Sequence, residues 1–182
     1  MNEQLEFLKI IAKRLAGARI PYMLTGSLAM AMYAMPRMTR DIDIVIEYRP
    51  SDAERIAGLF ADISYVDRQM VEEAARDEGM FNILHNEWII KADFIARKSG
   101  EYRALEFSRR HEVDVEGVPI AVVSPEDLIL SKLDWARTSP SELQMRDVSA
   151  IIDSVPDLDR EYLRGWAERL GLAQLLEEAT RR

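Results

Sequence analysis

The segment 41–48, Asp-Ile-Asp-Ile-Val-Ile-Glu-Tyr, constrains the fold of this chain more than any other segment. Three isoleucines alternate in it with Asp41 and Asp43, and successive side chains of a β-strand point to opposite faces. The segment therefore predicts a strand with one apolar face and one face that begins with two carboxylates. Such carboxylates repel each other unless a cation lies between them, and Mg²⁺ prefers oxygen ligands of this kind. The pair predicts a metal–phosphate site, and the alternative is an ordinary solvent-facing strand surface.

Gly26 and Ser27 follow a short strand predicted over 20–25, and a segment over 27–35 rich in Ala, Leu and Met predicts a buried helix. Glycine carries no side chain that would keep a phosphate from the backbone. The free N–H groups at the start of a helix attract anions. The Gly26-Ser27 dipeptide is therefore a candidate phosphate-binding turn, and the alternative is a turn in which serine caps a helix.

Asp93 interrupts an otherwise apolar segment, 88–95, which together with 80–85 predicts an antiparallel hairpin. Its position on a strand after the first two aspartates makes it the candidate third metal ligand. The alternative is a charge that protects an edge strand from aggregation.

The order of the predicted elements indicates an α+β fold. Strands and helices mix up to residue 123, whereas every predicted element after Ser124 is a helix, and Ser124-Pro125 is a typical helix start. We expect a mixed β-sheet core with flanking helices over 1–123. A helical C-terminal extension over 124–182 is expected to pack on it as one compact unit.

Composition narrows the class of protein. The formal charge of −8, from 24 Lys and Arg against 32 Asp and Glu, gives no general attraction to nucleic acid or to an anionic membrane. The absence of cysteine excludes disulfides, thiolate metal sites and a cysteine nucleophile. The N-terminus is amphipathic and charged, unlike a signal peptide, and the longest apolar stretch, 28–35, is too short to span a bilayer. We expect a cytoplasmic protein.

Taken in order, three short motifs resemble the nucleotidyltransferase superfamily with the polymerase-β-type core. They are Leu24-Thr25-Gly26-Ser27, Asp41-Ile42-Asp43 and Ala92-Asp93-Phe94. The resemblance implies that the Gly-Ser turn holds the phosphates of a nucleotide. It also implies that Asp41 and Asp43 bind Mg²⁺ or Mn²⁺, and that Asp93 completes a two-metal site and helps to activate the attacking hydroxyl.

A narrower resemblance links the segment 37–43, Arg-Met-Thr-Arg-Asp-Ile-Asp, to the Arg-x-Thr-x-Asp-x-Asp stretch of AbiEii-like toxin nucleotidyltransferases. That branch also carries a lysine early in its helical part and an aspartate beyond it, which Lys132 and Asp147 match. The resemblance implies that Lys132 contacts the triphosphate and that Asp147 positions Lys132 or the acceptor. Further candidates for phosphate binding, as hydroxyl or cationic donors, are Ser27, Arg37 and Arg40.

Lys132 and Asp147 also have structural interpretations. Lys132 lies on a predicted amphipathic helix whose polar side includes Asp127, so its amine could belong to a solvated face. Asp147 could pair with the adjacent Arg146 on a helix surface.

Members of the AbiEii-like branch transfer a nucleotide to RNA, notably to tRNA acceptor ends, or to protein, and often act in toxin–antitoxin pairs. The resemblance therefore implies an NTP-dependent enzyme with tRNA, other RNA or protein as acceptor and a cognate antitoxin as partner. One alternative is an aminoglycoside-type enzyme, because net acidity suits a small cationic acceptor. Another is a non-catalytic nucleotide-binding or antitoxin-like module.

Overall fold

The computed structural model describes residues 2–36, 39, 41–139 and 141–181, and within these residues the chain forms nine α-helices and seven β-strands. The helices are α1 (Asn2–Gly17), α2 (Gly26–Met30), α3 (Ala53–Phe60), α4 (Arg68–Asp77), α5 (Glu101–Ser108), α6 (Pro125–Thr138), α7 (Glu142–Ser154), α8 (Arg160–Arg169) and α9 (Ala173–Thr180). The strands are β1 (Tyr22–Thr25), β2 (Ile42–Ile46), β3 (Ser64–Tyr65), β4 (Met80–His85), β5 (Lys91–Ala96), β6 (His111–Val115) and β7 (Val118–Val122).

The chain divides into two compact units. The sheet unit comprises Met1–Leu28 and Met38–Val123, and the helical unit comprises Ala29–Arg37 and Ser124–Arg182. Residues 29–37, which include the end of α2, therefore group with the C-terminal helices.

The strands of the sheet unit form one mixed sheet in the order β3-β4-β5-β2-β1-β7-β6. Two neighbouring pairs are parallel, β1 with β7 and β2 with β5, and the other pairs are antiparallel. The predicted α+β class with a mixed sheet is confirmed. Because β2 and β5 lie inside the sheet, both are fixed by hydrogen bonds on two sides.

One face of the sheet packs on α1, α3 and α4. The ring of Phe60 on α3 lies 5.6 Å from that of Phe94 on β5, the ring of Phe7 on α1 meets His85 on β4 edge-on at 5.1 Å, and α4 contacts β4. The isoleucines of β2 are fully buried, as the alternation in the segment 41–48 predicted. The residues between them, Asp43 among them, therefore lie on the opposite face of the sheet.

The C-terminal segment of the helical unit begins with the predicted cap. Ser124 precedes α6, and its Oγ accepts a hydrogen bond of 3.2 Å from the backbone N–H of Asp127. The Asp127 side chain is fully buried, where it accepts hydrogen bonds from Ser124 Oγ at 2.6 Å and from the Tyr162 hydroxyl at 2.7 Å. The N-terminus of α6 is therefore tied to α8 by a buried carboxylate.

The helix α2 is shorter than the helix predicted over 27–35. It ends at Met30, and the chain continues in turns in which the N–H groups of Met32 and Tyr33 donate to carbonyls three residues back. High helix propensity alone did not extend the helix, because short helices depend on packing for their stability.

None of the helices in the described part of the chain is long and apolar enough to cross a membrane.

Candidate active site

Asp43 and Asp93 lie side by side in the sheet. Asp43 on β2 pairs with Asp93 on the parallel strand β5, and Thr25 on β1 pairs with Asp43 on its other side. Neighbouring strands lie about 4.8 Å apart, and directly paired residues project from the same face. The two acidic motifs therefore converge on the face of the sheet opposite α1, α3 and α4.

Asp93 lies on an internal strand, because β5 is flanked by β4 and β2. The interpretation of this residue as an edge-strand charge is therefore wrong. Its side chain is buried, and its Oδ1 has no hydrogen-bond partner within the described residues. A buried carboxylate oxygen without a partner is costly, so a cation or a hydroxyl donor at this oxygen would stabilise the site.

Gly26 packs directly against Asp43. Its φ is +68°, and a Cβ added there would lie 2.0 Å from Asp43 Oδ2 and 2.8 Å from Asp43 Cβ. No other residue fits this position without moving the carboxylate. The Gly-Ser turn is therefore part of the same site as the acidic residues, with Ser27 in the first turn of α2.

Lys91 is a site residue that the sequence analysis did not single out. Its Nζ lies 2.8 Å from Asp93 Oδ2 and 3.7 Å from Asp41 Oδ1. The hydrogen bond to Asp93 raises the pKa of Lys91, whereas partial burial of the amine lowers it. The negative charges of Asp93, Asp41 and Asp43 also raise this pKa, and the net shift is upward. The available signal was its position two residues before Asp93, which places both on one face of β5.

Asp41 immediately precedes β2, and its side chain is half exposed. Through Lys91 it is linked to Asp93, which in turn lies beside Asp43 in the sheet. We call Asp41, Asp43, Asp93 and Lys91 the carboxylate cluster.

Lys132 and Asp147 form an ion pair inside the helical unit. Lys132 Nζ donates to Asp147 Oδ2 at 2.7 Å and to Gln144 Oε1 at 3.2 Å, and both charged side chains are buried. The interpretation of Lys132 as a solvated surface residue is wrong. Arg146 pairs instead with Glu142, at 3.5 Å. The contact of Lys132 with a nucleotide stays a prediction.

Arg37 and Arg40 lie outside the described residues, and their phosphate-binding roles stay predictions.

The carboxylate cluster has the donor atoms of a metal site but not its geometry in the described residues. Among the residues that the structure describes, no three His, Cys, Asp or Glu side chains are grouped so that they could hold a metal ion. The Lys91 ammonium supplies positive charge to Asp93 and Asp41 instead. The carboxylate donors and the orphaned Asp93 Oδ1 nevertheless fit a hard divalent cation.

The fold is similar to that of several known structures. An antigenic nucleotidyltransferase-like protein from Paracoccidioides brasiliensis is 15% identical, with a TM-score of 0.60, and the alignment covers 100% of this chain and 93% of that one. The antibiotic-resistance factor ANT(2″)-Ia is 15% identical, with a TM-score of 0.60 and coverages of 100% and 99%. The lincosamide antibiotic adenylyltransferase LnuA is 13% identical, with a TM-score of 0.56 and coverages of 85% and 98%. At these identities the likeness shows the nucleotidyltransferase fold.

The sequence itself matches a family. No curated protein matches the chain significantly. The family model described as "Nucleotidyl transferase AbiEii toxin, Type IV TA system" matches residues 11–149. That range includes the Gly-Ser turn, the carboxylate cluster and the Lys132–Asp147 pair. The chain therefore belongs to the AbiEii nucleotidyltransferase toxin family and is an enzyme of the nucleotidyltransferase type.

Proposed function

We propose that this enzyme transfers a nucleoside monophosphate from an NTP to a hydroxyl of an acceptor, in a reaction that depends on Mg²⁺ or Mn²⁺ and releases pyrophosphate. The observation that carries the proposal is the convergence of Asp43 and Asp93 on one face of the sheet, with Gly26 in contact with Asp43.

The carboxylate cluster fits the charge changes of this reaction. The acceptor hydroxyl attacks the α-phosphorus, the bond to the β-phosphate oxygen breaks, and the proton leaves the hydroxyl as pyrophosphate departs. Asp43 and Asp93 would hold the divalent cation, joined by the half-exposed Asp41 once its side chain turns toward them. When bound, the cation would supply Lewis-acid polarisation of the phosphate. The Oδ1 of Asp93, which has no hydrogen-bond partner in the described part of the chain, would accept the hydrogen bond of the attacking hydroxyl.

The triphosphate would lie along the Gly-Ser turn. Gly26 has no side chain there, so a phosphate could approach the backbone, and Ser27 would donate its hydroxyl. Lys132, held by Asp147, stays predicted as the residue that neutralises charge on the departing phosphates.

RNA, in particular tRNA, or protein is the acceptor class that we propose first, with a cognate antitoxin as partner. The support is membership of a toxin family described as part of type IV toxin–antitoxin systems. Expression of the active enzyme should then slow growth, and expression of an Asp43→Asn copy should not.

A small cationic molecule is the second candidate acceptor. Two observations favour it: the fold shared with ANT(2″)-Ia and LnuA, whose chains are covered at 99% and 98%, and the net charge of −8. In that case the enzyme would protect cells against the small molecule and would not slow their growth.

One assay tests the proposal and separates the acceptors. The enzyme is incubated with each α-labelled NTP and Mg²⁺, together with total cellular RNA, total cellular protein or a panel of cationic antibiotics. The label should pass to one acceptor class with stoichiometric pyrophosphate, and the Asp43→Asn variant should transfer it at least about 10³-fold more slowly. Transfer by this variant at the wild-type rate would overturn the proposal.

A further inference from the structure

We propose that Lys91 is an internal counter-ion of the carboxylate cluster, and that a divalent cation displaces its amine more readily when a nucleotide binds as well. The inference rests on the proposed function and concerns how the site admits its metal. It predicts that the affinities for metal and for nucleotide are coupled through one side chain.

The geometry gives Lys91 the place of a cation. Its amine lies 2.8 Å from Asp93 Oδ2 and 3.7 Å from Asp41 Oδ1, which belong to different strand segments. These are the acidic residues that the reaction requires. In the absence of metal, the ammonium therefore reduces the repulsion between the negatively charged Asp41 and Asp93 side chains.

The two partners differ in how freely they can separate. The Lys91 side chain is 41% exposed, whereas the Asp93 side chain is 9% exposed. The lysine stem is flexible, so its amine can move into solvent. Asp93 cannot follow it, and its buried Oδ1 lacks a partner among the described residues. Asp93 is thus the fixed half of the pair, and Lys91 is the half that can be exchanged for another cation.

This arrangement penalises a free divalent cation. A cation that takes Asp93 Oδ2 must displace the ammonium, and any amine that stays nearby repels it. A nucleotide triphosphate removes this penalty, because its negative charges give the displaced amine a new partner. Metal and nucleotide should therefore bind with positive coupling, and by linkage each should raise the affinity for the other by the same factor.

The competing interpretation is an ordinary ion pair on a sheet surface. Such a pair would hold Lys91 near Asp93 but would not compete with a metal. Removing the lysine would then leave metal affinity unchanged, or would lower it if the amine positions Asp93 for coordination. The counter-ion interpretation predicts that a variant without Lys91 binds metal more tightly. The surface-pair interpretation predicts an unchanged or lower metal affinity.

The test is a titration of Mn²⁺ into full-length protein, followed by the electron paramagnetic resonance signal of free Mn²⁺, with and without a non-hydrolysable NTP analogue. Wild type should bind Mn²⁺ weakly alone and more tightly with the analogue. Lys91→Met should bind Mn²⁺ alone about tenfold more tightly, the effect of one charge in a partly hydrated site, and should show a smaller enhancement by the analogue. Lys91→Arg, which keeps the charge, should resemble wild type.

Lys9→Met is the matched control. The Lys9 amine also bridges two carboxylates of the sheet unit, Glu6 at 2.6 Å and Glu116 at 2.7 Å, but it belongs to neither the cluster nor the Gly-Ser turn. Its loss removes the same charge from the protein as a whole. The affinity for Mn²⁺ should stay at the wild-type value, which would exclude a general effect of net charge.

The outcomes separate this inference from the proposed function. Mn²⁺ affinity in Lys91→Met equal to or below that of wild type would overturn the inference alone, provided that Asp93→Asn abolishes the analogue-dependent binding. An absence of Mn²⁺ binding in wild type with every NTP analogue would overturn both. If Lys91→Met does not fold, judged by circular dichroism, Lys91→Gln takes its place, because its amide can still donate to Asp93.

Discussion

Two lysine–aspartate pairs, one in each unit, have nearly the same length but very different surroundings. Lys132 lies 2.7 Å from Asp147, with exposures of 5% and 4%, and Lys91 lies 2.8 Å from Asp93, with exposures of 41% and 9%. In the helical unit, both partners are buried, so separating them would pull apart two opposite charges inside the protein. In the sheet unit, the lysine can leave and the aspartate stays. Burial, more than contact distance, therefore separates a fixed ion pair from an exchangeable one.

The difference fits the proposed roles of the two pairs. A lysine that neutralises charge on a triphosphate benefits from a fixed direction, which Asp147 and Gln144 provide for Lys132. A carboxylate that must accept a metal benefits from a partner that can be displaced. The predictions below test this comparison in order of expected effect.

The largest effect is expected from Asp43→Asn in the sheet unit. The substitution keeps the shape of the side chain but removes a charge that the proposed mechanism uses to hold the divalent cation, so NMP transfer should fall by about 10³-fold or more. Pyrophosphate release and label transfer measure the effect. Asp114→Asn, at an exposed aspartate of β6, is the control and should keep wild-type activity. Comparable losses in both variants would mean that Asp43 has no special role.

Lys132→Met should lower the free energy of unfolding by about 3–5 kcal/mol, because it removes the buried ammonium that pairs with the buried Asp147 carboxylate at 2.7 Å. Urea denaturation measures the change. In the double variant Lys132→Met/Asp147→Leu most of the loss should be recovered, since both charges of the pair are replaced by apolar side chains. A loss below about 1 kcal/mol in the single variant would remove the contrast between the two pairs.

Gly26→Ala should destabilise the protein by roughly 1–3 kcal/mol and should also impair transfer, because the new Cβ strains a backbone at φ +68° and displaces the Asp43 carboxylate. Gly117→Ala is the matched control. That glycine has φ +81° with no atom of the described residues near the added Cβ, so the variant should lose stability but keep activity. Equal activity in both would show that the contact with Asp43 is dispensable.

The smallest effect on stability is expected from Lys91→Met. The partly exposed amine of Lys91 contributes no more than about 1 kcal/mol to the free energy of unfolding of the metal-free protein. Because Asp93 raises the pKa of Lys91 above 10.5, this contribution is present below pH 10.5 and is lost only as the pH rises through the raised value. The difference in free energy of unfolding between Lys91→Met and wild type, measured in EDTA, should therefore be constant between pH 6 and pH 9. A loss as large as that of Lys132→Met would make the two pairs equivalent.

Much of the sheet unit could be predicted from sequence because its signals are local. Alternating isoleucines placed Asp43 on the face of β2 opposite the buried isoleucines. The Ser124 cap likewise followed from two adjacent residues.

The remaining features depend on contacts between distant segments. Lys91 looked like an ordinary strand residue, because the register that brings it to Asp41 is set by the pairing of β2 with β5. Asp127 lay on the expected polar side of α6, yet it is buried because Tyr162 on α8 supplies its hydrogen bond. Composition does not reveal such partners, nor does it show that α2 ends at Met30.

A crystal of the enzyme grown with Mn²⁺ and a non-hydrolysable NTP analogue, measured at the manganese absorption edge, would test the proposed site. We expect anomalous density bound by carboxylate oxygens of Asp43 and Asp93, with the Lys91 amine moved away from Asp93 Oδ2. Density bound elsewhere on the protein, with Lys91 still 2.8 Å from Asp93, would contradict the assignment of the carboxylate cluster as the metal and nucleotide site.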